Sequence, residues 1–179
     1  MSETKSPRIL VIDDEPALLE TFRSILEPQY GVETAANGTS ALETLDAEID
    51  VIILDRRLPD RPGEQLLPTI RSHPGEFQII CCSAVVPDVD IISLPIDDYL
   101  LKPIGREQLR EAIERQLLVA NASTTVQEFL AVHRKRIAIE TANSTSALQE
   151  TEAYGELCAT ETKRSREIED WNVELLSLT

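Results

Sequence analysis

Val51-Ile52-Ile53-Leu54-Asp55 decides the fold. Its first four residues are apolar, three of them β-branched. No position is left for a solvated face, so the run predicts a strand buried on both sides of a parallel sheet. The run ends in a carboxylate. At the end of such a strand, Asp55 lies on the carboxyl edge of the sheet, where open α/β folds bind their ligands. Taken alone, Asp55 would as readily be the start of a loop, and the rest of the chain has to decide.

Upstream, Arg8 to Ile12 reads as a first strand and stops at Asp13-Asp14-Glu15-Pro16. A proline in the first turn and acids at the positive end suit a helix start there. Leu18, Leu19, Phe22, Ile25 and Leu26 follow at helical spacing until Pro28. Tyr30 to Ala35 is a second strand, Asn37-Gly38 a turn, and Leu42 and Leu45 mark a short helix. Downstream of Asp55, the Pro and Gly content of Arg56 to Gly63 predicts a loop. A helix bearing Leu66, Leu67 and Ile70 comes next, with Pro68 as an irregularity. Phe77 to Cys82 is a fourth strand ending at Ser83-Ala84, and prolines confine residues 85–95 to a short helix. Tyr99-Leu100-Leu101 is a fifth strand running into Lys102-Pro103, and Leu109, Ile113 and Leu117 mark a helix to about Val119. Five strands alternating with five helices predict an α/β, doubly wound parallel sheet with right-handed connections, over residues 6–121.

After a polar break at Asn121 to Thr125, Thr125-x-x-Glu128 has the pattern of a capping box. Val126, Phe129, Leu130, His133 and Ile137 then share one helical face. Beyond a second break at Asn143 to Ser146, Tyr154, Leu157, Cys158, Ile168, Trp171, Leu175 and Leu178 recur at helical spacing, interrupted by polar Glu161 to Arg166. Residues 123–179 therefore predict a C-terminal helical hairpin. So small a unit is marginal alone and needs a partner, either a second copy in a homodimer or the first domain. His133 and the basic run Arg134-Lys135-Arg136 are expected on a solvated face.

The 179 residues carry a net charge of −15, with 32 acidic against 17 basic side chains. That balance opposes nonspecific association with nucleic acid or anionic membranes. The tail holds ten acids against six bases and no helix-turn-helix pattern, so direct DNA binding is not expected. Acid-rich, lysine-poor composition suits a high-salt, halophile cytoplasm where screening relieves self-repulsion; an acidic mesophilic protein is the alternative. Cys81, Cys82 and Cys158 form neither a disulfide framework nor a metal-site spacing. No apolar run approaches the about 18 residues of a membrane span, and Met1 to Thr4 lacks a signal pattern, so a cytoplasmic protein is expected.

In a parallel sheet the strand ends share one edge. That edge receives Asp13 and Asp14, Asp55, Ser83 and Lys102. Two carboxylates about 5 Å apart repel by roughly 3 kcal/mol at an effective dielectric of about 20, so three together call for a cation. Oxygen donors with room for water favour Mg²⁺. The set points to phosphoryl transfer onto Asp55, with Asp13 and Asp14 holding the metal, Ser83 donating to one phosphoryl oxygen and Lys102 neutralising another.

Ile9-Leu10-Val11-Ile12-Asp13-Asp14-Glu15, Ile53-Leu54-Asp55 with Leu58-Pro59, Cys82-Ser83-Ala84 and Tyr99-Leu100-Leu101-Lys102-Pro103 together resemble the receiver domain of two-component response regulators. The resemblance spans about residues 6–121. It implies a flavodoxin-like (βα)5 fold with strand order 2-1-3-4-5 and phosphorylation of Asp55 by a sensor histidine kinase. It also implies one Mg²⁺ held by Asp13, Asp14, Asp55 and the backbone carbonyl of Arg57, and a cis Lys102–Pro103 peptide. Phosphorylation would draw Ser83 inward and rotate Tyr99. Such a chain is a phosphorelay switch rather than an enzyme. Arg57 and Val85 stand at positions that often tune loss of the phosphoryl group, and the shortened fourth helix departs from the family pattern. A phosphatase-like enzyme is the weaker alternative, because those enzymes place the nucleophile on the first strand in an Asp-x-Asp arrangement, where this chain has Asp13-Asp14.

Phe129 to Trp171, with His133-Arg134-Lys135-Arg136 and Glu152-Ala153-Tyr154-Gly155-Glu156-Leu157, resembles the HalX domain of haloarchaeal receiver proteins. The expectation is a signalling switch that reports through its helical tail, in transcriptional regulation. A second reading makes the tail a dimerisation or docking adaptor.

Overall fold

Val51 to Leu54 is 0–2% exposed and lies in the middle strand of the sheet. A computed structural model describes residues 6–143, 148–149 and 151–168. Within them, β1 (Arg8–Ile12), β2 (Gly31–Ala35), β3 (Val51–Leu54), β4 (Gln78–Ser83) and β5 (Asp98–Leu101) form a parallel sheet of order β2-β1-β3-β4-β5. This is the expected flavodoxin-like order.

Because strand side chains alternate, each apolar run feeds two cores. Ile9, Val11, Val51, Ile53, Ile80 and Cys82 face Phe22 and Leu26 of α1 (Pro16–Leu26) and Leu109 and Ile113 of α4 (Arg106–Val119). Leu10, Ile12, Ile52, Leu54, Ile79 and Cys81 face the opposite way, toward Ala41 of α2 (Gly38–Thr44) and Leu67 and Ile70 of α3 (Leu67–Ser72). Cys81 and Cys82 are free and buried, as their apolar strand predicts.

Two connections differ from expectation. The third begins as a 3-10 turn, Gly63–Gln65, before a short α3. Pro68 sits in the first turn of α3, where its missing N–H has no partner to lose. The fourth connection contains no α-helix. It forms a 3-10 turn, Val89–Ser93, capped by Asp88, whose side chain accepts the Val89 N–H at 2.7 Å. Pro87 and Pro95 bracket the segment and confine it to one short element.

The tail fills the vacated space. Helices α5 (Thr124–Ala142) and α6 (Glu152–Ile168) form a hairpin. Ile139, Leu148, Tyr154 and Leu157 join the same core as Ile91, Ile96 and Tyr99. Val119, Val126, Phe129, Leu130 and Ile168 form a second cluster where α4, α5 and α6 meet. Within one chain, the tail packs against the first domain.

The capping box is not used. Helix α5 starts at Thr124 after Ser123, without a side-chain cap, and Glu128 pairs with Arg164 of α6 instead. The basic run is not a solvated face either. Arg134 Nε donates to Asp98 Oδ1 at 3.1 Å, and Arg136 Nε donates to Glu161 Oε2 at 2.5 Å. Lys135 is 8% exposed, and its Nζ donates to the carbonyls of Ile92 and Leu94 at 3.2 and 2.5 Å. His133 Nδ1 lies 2.6 Å from Glu161 Oε1. Helix α5 is enclosed by the sheet side and by α6, so its basic side chains meet carboxylates and carbonyls rather than water. Glu161, read as part of a polar interruption, is the acid that His133 and Arg136 share. Trp171, Leu175 and Leu178 lie outside the described residues.

Candidate functional site

Strands β1 and β3 flank the point where the strand order reverses, and the ladders that β1 makes with β3 and with β2 each continue one step past the strand ends. Asp55 N–H donates to the Ile12 carbonyl at 2.9 Å, and Asp13 N–H donates to the Ala35 carbonyl at 3.0 Å. Both aspartates are thereby fixed at the carboxyl edge. On the other side, Lys102 N–H donates to the Ser83 carbonyl at 2.9 Å, placing the ends of β4 and β5 together. The Lys102–Pro103 peptide is cis.

Asp55 is 6% exposed. Its Oδ1 accepts the Ser83 hydroxyl at 2.8 Å and the Arg57 N–H at 3.0 Å, and its Oδ2 accepts Lys102 Nζ. Lys102 Nζ also donates to Asp13 Oδ2 at 2.6 Å, while Asp13 Oδ1 accepts the Glu15 N–H at 3.0 Å. Asp14 is exposed, yet one oxygen from each of Asp13, Asp14 and Asp55 lies within 4.8 Å of the others. Asp13, Asp14, Asp55, Ser83 and Lys102 thus converge. Arg57 brings its main chain to Asp55 while its side chain is exposed. Tyr99 stands apart: it is buried, and its hydroxyl donates to the Val85 carbonyl at 2.5 Å.

The three charged groups at the centre titrate differently. Burial pushes the Asp55 carboxyl up, but hydrogen bonds from Lys102, the Arg57 N–H and Ser83 outweigh it and hold it below the ordinary range. At Asp13 burial prevails over Lys102 and the Glu15 N–H, so its carboxyl is raised. Burial disfavours the Lys102 ammonium, but Asp13 and Asp55 more than compensate and raise it. Of the two buried carboxyls, Asp55 is the one held toward its ionised form. The donors fit a hard cation: three carboxylates, one of them open to solvent, suit a small divalent ion that keeps water ligands.

Two site residues escape the sequence reading. A Cβ on Gly63 would lie 2.0 Å from the Asp55 carbonyl oxygen, so the loop after Asp55 closes only around a glycine. Its N–H donates to the Arg56 carbonyl at 2.8 Å. Arg56, beside Tyr99, pairs with Glu64 at 2.8 Å and with Asp90 at 2.5 Å. The glycine was visible only as loop composition, and Asp90 lies too far along the chain to be linked to Arg56 by spacing.

A buried, ionised aspartate at the switch point of a doubly wound sheet places the chain among flavodoxin-like proteins that do their chemistry at the carboxyl edge. Residues 9–114 match the response regulator receiver domain, and the chain belongs to that family. It is similar to a putative transcriptional regulator of Haloferax volcanii, 35% identical over 150 residues, covering 83% of this chain and 26% of that protein. The alginate biosynthesis transcriptional regulatory protein AlgB of Pseudomonas putida is 36% identical over 125 residues, 67% of this chain and 28% of that protein. The chain thus spans little more than a quarter of these relatives' lengths. Among solved structures, a BeF3-activated DrrB receiver domain superposes with a TM-score of 0.58 at 27% identity, over 62% of this chain and 97% of that one.

Proposed function

We propose that this chain is a phosphorylation-activated response regulator in which residues 6–121 receive the signal and residues 123–179 transmit it. The observation that carries this reading is the buried, ionised Asp55 with Ser83 and Lys102 on its oxygens and Asp13 and Asp14 alongside.

An Asp55 oxygen attacks the phosphorus of a phosphohistidine on a sensor histidine kinase. The O–P bond forms as the N–P bond breaks, and the electron pair leaves on the imidazole. Lys102 neutralises charge on the phosphoryl oxygens, and the Ser83 hydroxyl turns from Asp55 to donate to one of them. Asp13, Asp14, Asp55 and the Arg57 carbonyl would hold Mg²⁺, which when bound offsets the charge of the incoming phosphoryl group. Tyr99 and Ser83 serve as the switch pair, joined through the Ser83–Val85 turn. The chain acts as a switch rather than a turnover enzyme.

The tail is HalX-like in this reading. A match to the Haloferax volcanii protein over 83% of this chain must run past residue 121 into the tail, and that supports it. The relatives' names favour an output in transcriptional regulation. The acidic surface argues for a protein contact rather than direct DNA binding, in a high-salt cytoplasm. No helix among the described residues is long and apolar enough to cross a membrane.

Incubation with a small phosphodonor and Mg²⁺ tests the chemistry. Wild type should gain one acid-stable, base-labile phosphoryl group, and Asp55→Ala none. Equal incorporation in both would overturn the assignment.

A further inference from the structure

Residues 84–97 link β4 to β5, and they touch the Asp55 site at one end and the tail along their length. On the site side, Val85 N–H approaches Ser83 Oγ at 3.4 Å and the Val85 carbonyl accepts the Tyr99 hydroxyl. Asp90 pairs with Arg56, the residue that follows Asp55. On the tail side, Asn143 Nδ2 donates to the Pro87 carbonyl at 2.8 Å. Lys135 Nζ holds the carbonyls of Ile92 and Leu94, at the end of the 3-10 turn where an ammonium is electrostatically favoured. Burying an ammonium is costly, and these two carbonyls supply the hydrogen bonds that offset part of that cost. Beneath it, Ile139, Leu148 and Leu157 share a core with Ile91, Ile96 and Tyr99.

We infer that Lys135 and Asn143 of the tail are positioning residues for the Asp55 site, and that tail docking and phosphoryl occupancy of Asp55 favour each other. The inference rests on the phosphoacceptor reading above. Its sign follows from the docked arrangement, in which the Ser83 hydroxyl and the Lys102 ammonium both point at Asp55. A phosphoryl group arriving there meets its donors with little rearrangement. Undocking α5 removes the anchors at Pro87, Ile92 and Leu94 and uncovers Ile91, Ile96 and Tyr99, so the turn that aims Ser83 loses its support. Coupling of this kind is reciprocal: whatever the tail contributes to the site, occupancy of the site returns to the tail.

The test uses the full chain with Mg²⁺ and beryllium trifluoride, a phosphoryl mimic, in wild type, Lys135→Met and Asn143→Ala. Thermal unfolding first establishes that each variant is folded. Titration should show weaker beryllium trifluoride binding in both variants, by about five-fold or more. In wild type, where no variant has to fold, the mimic should slow hydrogen exchange of the α5 amides, which a merely structural Lys135 would not produce. Unchanged affinity in the folded variants, or faster α5 exchange on binding, overturns the inference and leaves the Asp55 reading intact. Absence of binding by wild type overturns the Asp55 reading itself and the inference with it.

Discussion

Asp98 is fully buried between two arginines, Arg115 Nη2 of α4 at 2.8 Å and Arg134 Nε of α5 at 3.1 Å. Asp98→Ala leaves two guanidinium groups without their acid, and breaking a buried pair from one side costs about 3–5 kcal/mol. Urea unfolding should show that loss, and Arg134→Met, which keeps the Arg115 pair, should lose less. At Gly63 the obstacle is space. Gly63→Ala must push the loop off the Asp55 carbonyl, and overpacking of this kind costs about 1–3 kcal/mol. The same shift moves the Arg57 main chain, so phosphoryl incorporation should fall along with the urea midpoint. Asp13, Asp14, Asp55, Ser83 and Lys102 were legible in the sequence because each follows or ends an apolar run, and parallel topology brings those ends together. Asp98, Arg56 and Lys135 were not. Each has a partner 34 to 43 residues away, and a charged residue in sequence looks the same whether it meets water or a buried acid.

The strands could be read from their apolar runs to within a residue or two, whereas the connections depended on contacts the runs do not encode. The prolines around residues 87–95 correctly announced a short element. That a helix from the tail would cover the gap was invisible, because α5 departs from the one face its spacing marked: it buries Lys135 and Ile139 along with Val126, Phe129 and Leu130, while His133 and Ile137 are half-buried. Lys135 gives this interface a pH signature. Burial lowers its ammonium to about 8, with Asp97 opposing and Arg71 adding to the effect. Glu128 of α5 and Arg164 of α6 line the adjoining cavity. The unfolded chain, with an ordinary lysine near about 10.4, binds a proton between about pH 8 and 10.4 that the folded chain does not. Stability from this group therefore rises with pH across that window. Denaturant unfolding of wild type relative to Lys135→Met should shift in favour of wild type by about 2–3 kcal/mol from pH 7.5 to 10.5. The comparison cancels the buried thiols and tyrosines common to both proteins. A difference that is flat with pH would mean that Lys135 titrates normally.

At the scale of the whole molecule, the net charge of −15 repels itself, and the hairpin is held by burial against the sheet. Raising KCl from about 0.1 M to above 1 M shortens the Debye length from about 10 Å to about 3 Å. The thermal midpoint should rise accordingly; a fall would count against the high-salt reading. Residues 123–179 alone lack the surface that buries Ile139 and Leu157, so circular dichroism of that fragment should show little helix.

The shared core of Ile91, Ile96, Tyr99, Ile139 and Leu148 also bears on how such a chain can evolve. A cassette that ends cleanly at residue 121 could be spliced onto any effector. This one could not, because its fourth connection is too short to roof its own sheet. Grafting a foreign effector after residue 121 would leave that roof off, and the chimera should be less soluble than the parent. In a chain with this shortened connection the hairpin doubles as part of the fold's own wall, so deleting it should cost the first domain its solubility as well as its output.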